Sequence, residues 1–296
     1  MNGFKMKLEI KQLIKNYGSF TALDHISYTF ENGIYALLGP NGAGKSTFMN
    51  ILAMLLKETQ GEIILDGKPL VKQKKSFLNM LGYMPQQQCL YEDFTLKDFM
   101  YYIGNLKGMK KQEIISRSQY LVKEVKLEDV FYKKLSAFSG GMKQRAMLAA
   151  TLINDPKILI LDEPTAGLDP MKRMEMQNMI ASFAKDKIVL IATHVVSDVE
   201  FISSKFIFLK EGHIILQGDR ISILECLDQK VKEREITVEE YQKYKQANIV
   251  SSIYYRHDKL FARIIDDHQE YSGEVVTPEI SDVYFYLFRD EKDAVL

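Results

Sequence analysis

Nine consecutive residues, Gly39-Pro40-Asn41-Gly42-Ala43-Gly44-Lys45-Ser46-Thr47, fit the spacing G-x-x-x-x-G-K-[ST]. Glycines at these positions let backbone N–H groups turn inward around phosphate oxygens. A helix starting at the end of such a loop adds the positive end of its dipole. The chemistry is that of a polyphosphate ligand. Lys45 is placed to reach β- and γ-phosphates, the Ser46 hydroxyl to ligate Mg²⁺, and Thr47 to support the α-phosphate. Farther along, Ile158-Leu159-Ile160-Leu161-Asp162-Glu163 is an apolar run that ends in two carboxylates. Such a run holds the metal in phosphate-loop enzymes. Asp162 is expected to bind Mg²⁺ through water, and Glu163 to polarise an attacking water as general base. Together the two segments point to binding of a Mg-nucleotide and hydrolysis of its terminal phosphate.

The phosphate loop needs a strand before it and a helix after it. Residues 34–38 form a short apolar run, as a buried central strand should. Residues 46–57 carry Phe48, Ile51, Leu52 and Leu55 at helical spacing. Before the loop, residues 7–14 and 25–30 alternate apolar and polar side chains, with turn residues at Tyr17-Gly18-Ser19 and Glu31-Asn32-Gly33. A further strand is expected at 62–65. The middle of the chain is helical. Thr95 with Asp98 makes a capping box opening a helix toward Lys107, which Gly108 stops. Further helices are expected over 110–125 and from Ser139 to Ile153. Strands at 157–161 and 188–192, a helix over 171–184 and a short one over 197–203 follow, and strands at 205–209 and 213–217 close the unit. Strands alternating with helices predict an α/β domain on a largely parallel sheet.

Beyond about Arg220 the texture becomes rich in charge. Residues 221–248 read as helix, short strand and helix, residues 253–255 and 260–265 as a strand pair, and residues 278–288 as a last amphipathic helix. The expected organisation is one domain over 1–220, with a helical subdomain at about 90–155, and a small C-terminal α+β domain over 221–296. A chain of 296 residues is long enough for about two domains of roughly 100–200 residues each.

Composition narrows the function classes. Hydrophobic residues make up 46% of the chain, enough for a full core. Lys plus Arg and Asp plus Glu both number 39, so the basic excess of a nucleic-acid binder is missing. The two cysteines, Cys89 and Cys226, sit in no C-x-x-C pair or His cluster, which argues against a zinc site or disulfide framework and for a reducing compartment. Residues 1–10 alternate Lys with apolar residues and lack the apolar core of a secretory signal. No apolar run approaches the roughly 18–20 residues of a spanning helix. Any contact with a membrane is therefore expected to come through a partner.

Three more segments specify a family. Phe138-Ser139-Gly140-Gly141-Met142-Lys143-Gln144-Arg145 precedes the carboxylate strand, Ala166-Gly167-Leu168-Asp169 follows it, and His194 comes just after the next apolar strand. With the phosphate loop and Asp162-Glu163, these resemble the ATP-binding cassette (ABC) ATPases over about residues 8–218. The usual signature of that family is L-S-G-G-Q. Here Phe138 and Met142 flank the retained Ser139-Gly140-Gly141, keeping bulk at both changed positions. The resemblance implies that Tyr17 stacks on adenine, and that Gln86, in Gly82-Tyr83-Met84-Pro85-Gln86, senses Mg²⁺ and the γ-phosphate. It also implies that Ser139 and Gly141 contact the γ-phosphate held by a second copy, that Asp169 lies across the dimer seam, and that His194 hydrogen-bonds the γ-phosphate. Two chains, identical or related, would sandwich two ATP molecules. Both Glu163 and His194 are present, so a hydrolytically active site is expected.

The resemblance further implies a separate integral membrane permease as partner, with the chain peripheral on the cytoplasmic face and no nucleic acid bound. Residues 90–96, with Tyr91, Phe94, Phe99, Tyr101 and Tyr102 in and after them, occupy the region that docks a permease in such transporters. Thr277-Pro278-Glu279-Ile280-Ser281-Asp282-Val283-Tyr284 resembles the closing stretch of ATPase subunits from ABC-2-type drug, antibiotic and lantibiotic exporters. The alternative is a soluble ABC ATPase of an assembly pathway, such as iron–sulfur cluster assembly. A nucleic-acid maintenance ATPase would need a long coiled coil between phosphate loop and signature. A translation factor of this family would need a second cassette. A sugar importer would carry a longer C-terminal domain.

Overall fold

The computed structural model describes residues 6–87 and 90–290 of the chain. The readings of residues 1–5, Gln88, Cys89 and residues 291–296 lie outside these. The chain opens with β1 (Leu8–Tyr17), β2 (Phe20–Phe30) and β3 (Gly33–Leu38), followed by α1 (Lys45–Leu52). Next come β4 (Gln60–Leu65), β5 (Lys68–Pro69), α2 (Lys74–Met80) and β6 (Leu81–Met84). The helical region is α3 (Leu96–Leu106), α4 (Lys111–Glu124) and α5 (Gly140–Thr151). Then follow β7 (Ile158–Asp162), α6 (Pro170–Phe183), β8 (Ile188–Thr193), a 3₁₀ turn at Val196–Asp198, β9 (Lys205–Lys210) and β10 (His213–Asp219).

The central sheet has the order β10-β9-β3-β8-β7-β6, parallel except for the outer β10. Its strands read as apolar runs because both faces are covered. Tyr35, Leu37, Ile158, Ile160, Ile188 and Leu190 face a core shared with Phe48, Ile51 and Leu52 of α1. The same core holds Leu8, Ile10, Ile26 and Phe30 from the antiparallel sheet β2-β1-β4-β5. The alternate residues Ala36, Leu38, Leu159, Leu161, Val189 and Ile191 face the other way, into a core built with α3, α4, α5 and α6. The period of two along each strand thus glues one sheet to two layers.

Two expected helices are shorter in the structure. The helix after the phosphate loop ends at Leu52, not at residue 57. Met54 adopts a left-handed φ of 57°, and the N–H groups of Leu55 and Leu56 turn back to Asn50 O. The helix expected over 197–203 is only the 3₁₀ turn Val196–Asp198. The capping box forms as read: Asp98 N donates to Thr95 Oγ1 at 3.1 Å, and Thr95 N donates to Asp98 Oδ2 at 3.3 Å.

The last part of the chain comprises α7 (Arg220–Glu225), β11 (Val231–Glu235), α8 (Val238–Gln246), β12 (Val250–Arg256), β13 (Lys259–Ile265), β14 (Glu274–Val275) and α9 (Ile280–Phe288). Its antiparallel sheet has the order β12-β13-β11-β14. One face, with Ala262, Ile264 and Tyr244 of α8, builds a small core of its own. On the other side, Ile223, Val231, Ile265, Ile280, Val283 and Phe288 join the core that contains Phe206 and Phe208 of β9. Burying a large apolar side chain contributes about 1.5–3 kcal/mol, so α9 is held firmly against the central sheet. Asp282, buried in the first turn of α9, accepts from Ser251 Oγ and pairs with Arg263.

Candidate functional site

Strand order decides what meets at the end of the central sheet. β3 lies between β9 and β8, and β8 lies between β3 and β7. The loops leaving β3, β7 and β8 therefore emerge side by side at the carboxyl ends of parallel strands, where ligands of such sheets bind. The phosphate loop follows β3, Asp162 ends β7 with Glu163 next to it, and His194 follows β8.

The loop's shape depends on its glycines. Gly44 caps α1 with a φ of 104°, a conformation L side chains rarely adopt. A Cβ on Gly39 would come within 2.3 Å of Leu209 O, so the loop closes against β9 only without one. Lys45 is buried, and its Nζ donates to Gly39 O at 2.6 Å and Pro40 O at 2.9 Å. Burial lowers its pKa from the ordinary ammonium range, while Glu163 and Asp162 pull it back up. The two carboxylates thus offset part of what burial costs its charge.

These groups line one cavity of about 300 Å³ with Asn41, Gly42, Gly44, Ser46, Thr47, Gln86, Asp162 and Glu163 in its wall. Tyr17, Phe20 and Ala22 complete the opposite side. Tyr17 and Phe20 face each other across the hairpin turn at Gly18, and both are substantially exposed. Phe20 and Ala22 were not singled out from the sequence. The two-residue hairpin between Tyr17 and Phe20 was the available signal, because it sets the two rings as a pair. Gly39, Pro40 and Ala43 belong to the loop but do not line the cavity. The first two accept from Lys45, and Ala43 O accepts from Gly212 N of the β9–β10 turn at 3.0 Å.

Asp162 is buried, and burial and the neighbouring Glu163 raise its pKa above the ordinary carboxylate range, against the Ser46 hydroxyl and Lys45. Ser46, Asp162 and the Gln86 amide line the same cavity. Hydroxyl, carboxylate and amide oxygens at one place suit a hard divalent cation such as Mg²⁺. Among the described residues no cluster of three His, Cys, Asp or Glu side chains could hold a metal by itself. The donor set thus fits an ion that keeps water and phosphate oxygens as its remaining ligands.

Glu163 has a left-handed φ of 48°, which turns its side chain across to β8. Its Oε2 accepts from Thr193 Oγ1 at 3.0 Å, and its Oε1 accepts from His194 N at 3.2 Å and His194 Nδ1 at 2.7 Å. Thr193, the last residue of β8, is thereby a further neighbour of the site. His194 is half-exposed and meets Glu163 rather than the wall of the cavity.

Ser139, Gly140, Gly141 and Asp169 stand outside the cavity. Ser139 caps α5, Asp169 caps α6, and both side chains accept from backbone N–H groups of their own first turns. The two helix starts adjoin. A Cβ on Gly141 would meet Lys172 Cδ at 2.9 Å, and Lys172 Nζ donates to Asp169. Two neighbouring helix N-termini, with Ser139, Gly140 and Asp169 exposed, form a surface suited to an anion brought from elsewhere. In the helical region, Phe99 belongs to the core, while Tyr91, Phe94 and Tyr102 cluster with ring centroids 5.1–5.9 Å apart and Tyr91 half-exposed.

Comparison with known proteins agrees with this geometry. Residues 23–166 match the family model described as ABC transporter. The chain is 38% identical over 213 residues to the ABC transporter ATP-binding protein YxlF of Bacillus subtilis, covering 72% of this chain and 70% of that protein. It is 38% identical over 214 residues to the lantibiotic transport ATP-binding protein SrtF of Streptococcus pyogenes, covering 72% and 90%. It is 34% identical over 220 residues to the Nod factor export ATP-binding protein I of Burkholderia lata, covering 74% and 72%. Among solved structures, cbiO1 from Clostridium perfringens, part of the ABC transporter complex cbiONQ, superposes with a TM-score of 0.65 at 30% identity, over 75% of this chain and 94% of that one. A dimeric ATP-binding cassette in a post-hydrolysis state bound to ADP and phosphate superposes with a TM-score of 0.64 at 26% identity, over 72% and 98%. The chain belongs to the ATP-binding proteins of ABC transporters and is an ATPase of that family.

Proposed function

We propose that this ATPase works as one half of a pair that drives a separate export permease. The observation that carries the reading is the convergence of Lys45, Ser46, Asp162 and Glu163 on one cavity, with Tyr17 and Phe20 across from them. The proposed roles follow from position. Tyr17 stacks on adenine. Residues 39–47 cradle the phosphates, with Lys45 neutralising charge on the β- and γ-groups. Ser46, Asp162 and Gln86 would hold Mg²⁺, which when bound offsets phosphate charge. Glu163 accepts a proton from the attacking water, and His194 holds the γ-phosphate side of the site.

Ser139, Gly140, Gly141 and Asp169 find no place in that cavity. Their exposed helix starts support an arrangement in which each ATP lies between one chain's phosphate loop and the other's Ser139 helix. ATP then acts as an interfacial ligand, and its hydrolysis removes the contacts that favour the closed pair. The names of the relatives from Streptococcus pyogenes and Burkholderia lata support export as the direction. No helix of the described residues is long and apolar enough to cross a membrane. Attachment to the cytoplasmic face through a permease fits this reading, with the Tyr91–Phe94–Tyr102 cluster as the docking surface.

The test is phosphate release from Mg-ATP by the purified chain, parent beside Glu163→Gln, with molecular mass followed by light scattering. The parent is expected to hydrolyse ATP. The variant should bind ATP, release no phosphate and run as a dimer. Hydrolysis by Glu163→Gln at the parent rate would remove Glu163 from its role. A monomer at saturating ATP would remove the pair of identical chains and leave a related chain as the partner.

A further inference from the structure

The turn after His194 is fastened to the segment after Glu163 by a buried polar group that the roles above leave unused. Asp198 ends the 3₁₀ turn Val196–Asp198 and is 5% exposed. Its Oδ2 accepts from Thr165 Oγ1 at 2.5 Å, and Thr165 is 1% exposed. Thr165 lies two residues beyond Glu163 and four before Asp169. Arg173 Nη1 approaches Asp198 Oδ1 to 3.8 Å, while Arg173 Nε donates to Leu168 O at 3.0 Å. One turn along the same face of α6, Gln177 Nε2 donates to Ser197 O at 3.2 Å.

An apolar residue would fill this place at less cost. Burial pushes the Asp198 carboxyl up, and the Thr165 hydroxyl and Arg173 work against that. The partners of Asp198 come from the segment after Glu163 and from α6, so its contacts constrain how these parts sit together. What they constrain is the relation between two loops. One carries His194. The other runs from Glu163 to Asp169, whose N-cap position starts α6.

We propose that Asp198 is a positioning residue for ATP hydrolysis. With Thr165 and Arg173 it locks the turn after His194 to the segment from Glu163 to Asp169, so that the Glu163–His194 pair and the Asp169 surface move as one body when the two-chain site closes. The proposal rests on the reading of Glu163 and His194 given above. The hydrogen bond from Thr165 sets the spacing of the two loops, and Arg173 carries that spacing to the start of α6.

The test measures kcat, KM and ATP affinity for Asp198→Ala, Asp198→Asn, Thr165→Val and the double variant Asp198→Ala/Thr165→Val, with Glu163→Gln and His194→Ala as references. Asp198→Ala is expected to lower kcat by about tenfold to a hundredfold, as misplacement near reacting groups does. KM and ATP affinity should stay within about twofold. Asp198→Asn keeps an acceptor for Thr165 and should recover most of the rate. Thr165→Val should match Asp198→Ala, and the double variant should be no slower than either. Unchanged kcat in Asp198→Ala, additive losses in the double variant, or an Asn variant as slow as the Ala one would each overturn the proposal. If Asp198→Ala does not fold, Asp198→Asn and Thr165→Val decide. A fast Asn and a slow Val variant support it, and two parent-like variants overturn it. If Glu163→Gln and His194→Ala keep parent rates, the underlying reading fails and the proposal with it. If they lose hydrolysis while Asp198→Ala keeps it, the proposal alone fails.

Discussion

Glu163 Oε1 and His194 Nδ1 lie 2.7 Å apart, a contact that joins the ends of the adjacent strands β7 and β8. A carboxylate oxygen accepts, so the ring nitrogen donates, and His194 N donates to the same oxygen. The other oxygen is taken by Thr193. In the proposed mechanism Glu163 would reach a water only by sharing or exchanging one of these partners, and His194 would orient the base as well as hold the γ-phosphate side. His194→Ala is expected to slow ATP hydrolysis by about a hundredfold, within the range of general-base effects, with ATP affinity within severalfold of the parent. Steady-state phosphate release and calorimetric ATP titration check this.

Lys45 is buried among its own loop carbonyls, and burial disfavours its charge. Lys45→Ala should therefore weaken ATP binding without unfolding the chain. The expected loss is about tenfold to a hundredfold in Kd, the range of a hydrogen bond to a charged group. The thermal midpoint should stay within about 2–4 °C of the parent. A large drop in that midpoint with ATP affinity retained would contradict the role.

Tyr17 stands at the cavity mouth with the Lys15 ammonium 5.0 Å from its ring centroid. Tyr17→Ala should raise the Kd for ATP by about tenfold, as loss of one base–aromatic stack does. Tyr17→Phe should not. Inorganic triphosphate, which has no base, should bind all three proteins alike. Equal loss for triphosphate would place the ring against phosphate instead.

How far the site could be read from the sequence depended on whether its parts were local. The phosphate loop is contiguous, and its spacing alone placed Lys45 and Ser46 beside each other. The buried strands were legible because both faces of the central sheet are covered, which leaves apolar runs such as Ile158–Asp162. By contrast, α2 and β6 went unread. α2 is a seven-residue helix with only Phe77 buried, too short to show a period. β6 contains Gly82, whose missing Cβ lets Thr151 O approach to within 2.7 Å of where it would be. The Thr193–Glu163–His194 contacts and the Thr165–Asp198 bond join segments some thirty residues apart. Only the sheet order brings those segments together. The last part of the chain was legible as elements, while the packing of α9 onto Phe208 follows from tertiary contact.

The C-terminal sheet offers a pH test. Asp266 is buried, which would raise its pKa. The Lys232 ammonium at 2.7 Å and the N–H groups of Tyr271 and Glu270 outweigh this and hold it below its ordinary 3.8. A carboxyl with a depressed folded-state pKa stabilises fully above its unfolded value and loses that contribution as pH falls through the folded value. Asp266→Asn should therefore cost about 2 kcal/mol at neutral pH, and the gap to the parent should close as pH drops below 3.8. Urea midpoints across that range decide. A gap independent of pH would mean that the charge is not what matters.

The most direct test of the account expresses tagged Glu163→Gln in its native cell. Membranes are extracted gently in the presence of ATP, and the proteins that co-purify are identified by mass and stoichiometry. The account expects a multi-span membrane protein in a fixed ratio to the chain. A chain absent from the membrane fraction and bound only to soluble proteins would contradict the motor of a membrane transporter and point to an assembly ATPase.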